Sequence, residues 1–208
     1  MSLFKYLLIP LFIIVISTTS VSFAKKAAIV IDFDTKEVLF EVNANTKNYP
    51  ASLTKIMTLY ILFDKLEKKQ ITNQTKLKVS RIAASRSPSK LYLEEGSTIK
   101  VEDAIMALII KSANDVATVV AENISGTEKE FAKLMTRYAK DLGMHNTTFK
   151  NASGLPNRAQ LTTARDISIL SHALISNFPE QYKLFNTQKF TYKGKTYKTH
   201  NKLMLSYE

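Results

Sequence analysis

The spacing of apolar residues changes twice along this chain, and the order of those changes restricts the fold more than any other feature. Residues 26–43, "KAAIVIDFDTKEVLFEVN", form two runs rich in Val, Ile and Phe that meet at Asp34-Thr35-Lys36, the pattern of a β-hairpin. Beyond Pro50, which disfavours helix at Tyr49, the residues Ile56, Leu59, Tyr60, Phe63 and Leu66 recur at helical spacing. A short apolar helix is expected over "VEDAIMALII", with Thr98 as its natural cap, and a second from near Asp115 to about Ile124. "TEKEFAKLMTRYAKDLG" is the best-specified helix. Thr127 and Glu130 make a capping box, Gly143 is the stop, and Phe131, Leu134, Met135, Tyr138 and Leu142 form the buried stripe. Thr163 and Asp166 cap one more helix, through Ile167, Leu170 and Leu174. The tail alternates weakly around Gly194, like a second hairpin. Strands, then helices, then strands imply an α+β fold whose two ends share a sheet. The polar stretch "SRIAASRSPSK" has no apolar period and is expected to run over the surface.

The N-terminus bears on compartment. Lys5 precedes the apolar run "YLLIPLFIIVI", and "STTSVSFA" follows, with Ser22 and Ala24 at small-residue positions. Residues 1–24 therefore read as a secretory signal peptide, cleaved between Ala24 and Lys25. The run is shorter than the roughly 20 residues that span a bilayer, and Pro10 interrupts it. An uncleaved anchor is the alternative. There is no cysteine, so an exported chain must rely on packing rather than disulfides. The formal charge of +11 favours anionic partners such as cell-wall polymer or lipid headgroups. No basic run interleaved with aromatics suggests a nucleic-acid groove. His145, His172 and His200 are scattered without ligand spacing, so neither metal nor cofactor is expected.

Five Ser-x-x-Lys pairs occur, and only context separates them. Ser2/Lys5 and Ser22/Lys25 involve the signal region, Ser87/Lys90 straddles Pro88, and Ser97/Lys100 lies at a helix entrance. Ser52 and Lys55 alone stand in the first turn of a long apolar helix, on one face and separated by about 4.5 Å of rise. There a hydroxyl can meet an amine, beside unpaired backbone N–H groups that favour a developing oxyanion. A lysine takes a hydroxyl proton only when neutral, which requires burial or a second cation to lower its pKa. The bland alternative is a helix cap with an exposed lysine. Ser112-x-Asn114 is the one Ser-x-Asn in the chain and falls in the break between two apolar helices. A serine there can relay a proton, and an asparagine can hold an amide through both its carbonyl and its NH₂. Its alternative is a cap for the helix that follows.

In order along the chain, "PASLTKIMT", "KSANDVA", "YAKDLGMHNTTFKNASGL" and "TTARDIS" resemble the D-alanyl-D-alanine carboxypeptidases, low-molecular-mass penicillin-binding proteins of bacterial cell-wall maturation. The resemblance runs from about Lys26 to the last residues. It implies a β-lactamase/transpeptidase-like fold, with a helical cluster against an antiparallel sheet, and makes 25–208 a carboxypeptidase catalytic domain. It also implies roles. Ser52 would form an acyl-ester with the penultimate D-alanine of peptidoglycan stem peptides ending in D-Ala-D-Ala. Lys55 would accept the proton, Ser112 would pass it to the departing D-alanine, and Asn114 would orient the peptide. Water would release the ester, and β-lactams would acylate the same serine.

The family's third motif, Lys-Thr-Gly or a close variant, is not found. The nearest matches, Lys195-Thr196-Tyr197 and Lys198-Thr199-His200, lack the glycine. The chain is therefore expected to be truncated just before that motif, with an incomplete sheet, no C-terminal membrane-surface anchor, and poor stability and activity on its own. A serine β-lactamase is disfavoured because "SGLPNRAQLTTARD" carries no glutamate and Glu180 lacks the spacing to an asparagine. The other alternative is a non-catalytic exported protein that binds peptidoglycan through its charge.

Overall fold

The computed structural model describes residues 26–201. The proposed signal segment, 1–24, lies outside them. Strands β1 (Ala28–Ile31) and β2 (Val38–Val42) pair antiparallel, with Ala28 opposite Val42 and a register irregularity at Val30/Ile31. Their turn is fixed by Asp32, whose carboxylate accepts from the N–H groups of Asp34 and Thr35 and from the Thr35 hydroxyl. The ribbon leaves Val30, Leu39 and Phe40 half or more exposed. A 3₁₀ turn over Ala51–Leu53 then leads into α1 (Thr54–Glu67), which is buried from Thr54 to Phe63 apart from a half-buried Ile56.

The segment after α1 departs from expectation. It forms β3 (Lys76–Lys78), α2 (Arg81–Ala84) and β4 (Thr98–Lys100), with β3 and β4 paired antiparallel. Leu77, Val79, Ala83, Leu91, Leu93 and Ile99 from this stretch are all buried in the core. They lack a period because they come from three short elements and the irregular segments between them. Thr98 belongs to β4, and α3 (Val101–Met106) starts two residues later than a Thr98 cap requires. One π-helical turn, Ala107–Lys111, continues α3 to Ser112.

The central pair of helices is α4 (Asn114–Ser125) and α5 (Glu128–Asp141). Thr127 caps α5 by accepting from the Glu130 N–H at 3.2 Å, but the Glu130 carboxylate turns outward to Lys133, so the capping box is half made. Thr163 caps α6 (Ala164–Asn177) in the same way, and Asp166 spends its carboxylate on the Asn146 N–H and the Thr147 hydroxyl. A short α7 (Pro179–Tyr182) leads to β5 (Lys189–Tyr192) and β6 (Lys195–Lys198), the hairpin expected around Gly194.

The architecture is α+β, with helices around one apolar core that includes Met57, Phe63, Val116, Phe131, Met135 and Leu170. The first and last strands of the described residues do not share a sheet, however. Among the described residues there are three separate two-stranded pieces, β1–β2, β3–β4 and β5–β6. The antiparallel sheet is thus present only in part. No helix among the described residues is long and apolar enough to cross a membrane.

Candidate active site

Ser52 sits in the 3₁₀ turn and is exposed, while Lys55, one turn on, is 3 % exposed. Three turns of apolar helix follow, and the whole amine is drawn in with them. The Lys55 Nζ lies 3.5 Å from the Ser52 Oγ and 2.5 Å from the backbone carbonyl of Ser153. Burial lowers the Lys55 pKa from 10.5 to about 8. A neutral Lys55 reverses the first contact, since the Ser52 O–H can then donate to Nζ. The backbone N–H of Ser52 is engaged by no hydrogen bond among the described residues, as expected at a helix start.

The Ser153 carbonyl belongs to a strap, residues 151–154, that lies over the start of α1. The Thr58 hydroxyl, three residues beyond Lys55, donates to the Ala152 carbonyl at 2.7 Å. Asn151 folds the strap by accepting from the N–H groups of Ser153 and Gly154. Gln160 fastens it from behind by accepting from Lys150 and Asn151. Gly154 has φ +87°, and a Cβ there would stand 1.8 Å from the carbonyl oxygen of Ala51 and 2.4 Å from its carbon. Only glycine permits that approach. Ala51 itself has φ +46°, a left-handed conformation costly for an alanine, immediately before the serine. Neither Ser153 nor Gly154 is among the site residues expected from the sequence. The available signal was the lone glycine in that stretch.

Ser112 occupies the break between the π-helical turn and α4, with φ +53°. Neither it nor Asn114 caps the next helix, because the cap position is Ala113 and no side chain bonds there. The loop at 87–89 holds Asn114 instead. The Asn114 N–H donates to the Ser89 carbonyl at 2.7 Å and its Nδ2 to the Ser87 carbonyl at 3.0 Å. The Ser89 hydroxyl donates to the Lys111 carbonyl at 2.8 Å and closes the clamp. The side-chain oxygen of Asn114 accepts no hydrogen bond among the described residues and remains available to a ligand. No hydrogen bond among them joins Ser112 or Asn114 directly to Ser52 or Lys55. The next residue, Asp115, is fully buried and accepts from the N–H groups of Leu91, Leu93 and Val116, so it anchors the loop rather than facing a ligand.

Two cavities flank the 49–53 segment. One of about 550 Å³ lies between β1 and α6. The other, of about 350 Å³, is lined by Tyr49, Pro50, Ala51, Leu155, Pro156 and Arg158. Neither includes Ser112 or Asn114. Among the described residues no group of three or more His, Asp or Glu side chains could hold a metal ion.

The sequence matches the peptidase S11 family, described as D-alanyl-D-alanine carboxypeptidase, over residues 15–208. It is 38 % identical over 158 residues to the D-alanyl-D-alanine carboxypeptidase DacF of Bacillus subtilis, an alignment covering 76 % of this chain and 41 % of that protein. The structure is similar to penicillin-binding protein 5 of Haemophilus influenzae, with a TM-score of 0.83, 30 % identity, and 86 % of this chain covered against 53 % of the other. It is also similar to ampicillin-bound penicillin-binding protein D2 of Listeria monocytogenes, with a TM-score of 0.78, 32 % identity, and 88 % of this chain covered against 74 % of the other. The chain spans less than half the length of its Bacillus relative.

Proposed function

The chain belongs to the D-alanyl-D-alanine carboxypeptidase family, and from that premise we propose that it carries the nucleophile and base of a serine-type carboxypeptidase acting on peptidoglycan stem peptides that end in D-Ala-D-Ala. Ser52 Oγ attacks the carbonyl carbon of the penultimate D-alanine while its proton passes to neutral Lys55. The oxyanion that forms takes a hydrogen bond from the Ser52 N–H. When the C–N bond breaks, the departing D-alanine amine takes up a proton, relayed by the Ser112 hydroxyl. Water, deprotonated by Lys55, then hydrolyses the ester on Ser52. Asn114 holds the peptide with its free side-chain oxygen and its remaining amide hydrogen. A β-lactam opens on Ser52 by the same first step. Residues 1–24 direct the chain out of the cytoplasm to the periplasm or the outer membrane face, where the wall polymer lies. The basic surface favours that anionic neighbourhood, and association with the membrane surface is compatible with it.

One observation supports this reading above the others: an exposed serine hydroxyl 3.5 Å from a buried lysine whose pKa falls to about 8. At pH 7 roughly a tenth of such amines are neutral, so acylation is slow there and quickens toward pH 9. Burial to a pKa of about 8 leaves most of the Lys55 amines charged at pH 7. The test is to incubate purified protein with a fluorescent penicillin at pH 7–9 and locate the adduct by peptide mass spectrometry. An adduct on Ser52, lost in Ser52→Ala, is expected, together with D-alanine release from a D-Ala-D-Ala peptide. Absence of any adduct from the folded protein across that range refutes the proposal. Retained peptidoglycan binding in that case identifies a non-catalytic wall-binding protein instead.

A further inference from the structure

We propose that Glu128 is a positioning residue that holds the two halves of the active site in register, one carboxylate tying the strap over Lys55 to the loop that clamps Asn114. The inference rests on the proposed roles of Lys55 and Asn114.

Glu128 opens α5, and its side chain is 13 % exposed. One oxygen is paired with the Arg86 guanidinium. The other accepts from the Ala152 N–H at 3.1 Å and from the Thr118 hydroxyl at 3.4 Å. Arg86 also donates through Nε to Thr118 at 2.9 Å, which closes a ring of contacts across α4. On one side of this ring, Ala152 is tied through its carbonyl to Thr58, and the adjacent Ser153 carbonyl accepts from Lys55. On the other side, Arg86 immediately precedes the segment Ser87-Pro88-Ser89, whose Ser87 and Ser89 carbonyls hold Asn114. The chemistry calls for a carboxylate. The group must accept from a cation, an amide and a hydroxyl at once, and an amide side chain would turn an NH₂ toward Arg86.

A prop of this kind acts on Lys55 only through the strap, and that separates it from a general contribution to stability. The decisive measurement is the Lys55 amine titration, followed by NMR in isotopically lysine-labelled protein and assigned with Lys55→Met. It reads Glu128 whether or not the chain acylates, so it is judged separately from the proposed activity. In Glu128→Ala the strap is released and water reaches the amine, so the midpoint is expected to climb from about 8 to about 9 or above. In Glu128→Gln one oxygen still accepts from Ala152, so the midpoint is expected to stay near the wild-type value. A Glu128→Ala midpoint equal to wild type, with only a lower melting temperature, overturns the proposal. Should Glu128→Ala not fold, Arg86→Gln decides. Hydrogen exchange of the Asn114 backbone amide is expected to quicken about tenfold or more relative to core amides of α4 while the Lys55 midpoint holds, and unchanged Asn114 exchange overturns the proposal.

Discussion

Burying an amine that must lose its proton has a cost in stability, and that cost should be measurable through Lys55→Met. The Lys55 pKa is about 8 in the folded protein against 10.5 for an unperturbed lysine. The side chain is 3 % exposed, so solvent screening does little to reduce the effect. A depression of this size corresponds to about 3 kcal/mol of destabilisation wherever the unfolded chain keeps its proton and the folded one resists it. The sign follows from proton binding. Between pH 8 and 10.5 the unfolded state binds more protons than the folded state, so wild-type stability rises with pH across that window. Below pH 8 the cost is fully present, and above 10.5 it is gone. Lys55→Met has no such group, but it leaves the Ser153 carbonyl without its donor, a loss of about 1–3 kcal/mol that does not depend on pH. The diagnostic is therefore the change in the difference with pH. Urea unfolding of both proteins from pH 7 to 10.5 cancels every other titrating group. Relative to Lys55→Met, the wild type should gain about 3 kcal/mol over the window. A gain under about 1 kcal/mol, or a change in the opposite sense, refutes the burial of an ionisable Lys55.

Because burial lowers the Lys55 pKa, its titration midpoint should stay the same between low and high salt; a midpoint that rises with salt would show that distant cations share the work. In Gly154→Ala the new Cβ meets rigid backbone at Ala51 in a left-handed conformation, so a loss of about 3 kcal/mol or more and a sharp fall in penicillin labelling are expected, checked by thermal melts and adduct yield. Asp115→Asn keeps one acceptor oxygen but sets an NH₂ group against backbone donors of the 91–93 loop, so urea unfolding should report a loss of about 2–4 kcal/mol.

What was legible in the sequence is what depends on neighbours along the chain. Thr127 and Thr163 cap their helices through N–H groups three residues on, and the Ser52/Lys55 contact needs only one helical turn. The hairpins at Asp34 and Gly194 are likewise local. The break at Ser112 could be seen because an apolar period stops there. What was not legible depends on distant contacts. The Ser153 carbonyl reaches Lys55 from 98 residues away, and nothing in "NASGLP" tells which carbonyl will be used. Glu128 is one of two acidic residues in a first helical turn, and its pairing with Arg86 arises only when the 81–86 segment packs over α4. Leu77, Val79, Leu91 and Leu93 carry no period, because one short strand and the irregular segments around it deliver them to the core. The sheet failed for a similar reason: alternation identifies strands but does not say which of them pair.

Neutralising half of a lysine population at pH 7 requires moving its pKa down from 10.5 to 7, and burial takes it to about 8. The remaining step is about 1.4 kcal/mol. At an effective dielectric constant of 20, one positive charge roughly 12 Å away supplies that much, before salt screening. A second cation therefore need not touch Lys55, and its position can vary widely. The strap has no such latitude. Its carbonyl must sit within hydrogen-bond reach of the amine, and its glycine must pass against the Ala51 peptide with no room for a methyl group. Burial beneath the strap, which lowers the lysine pKa, and a distant charge that would add to it thus tolerate change very differently. Substitutions that shift distant charge should alter the rate by small factors, whereas those that lift the strap rehydrate the amine and remove the base altogether.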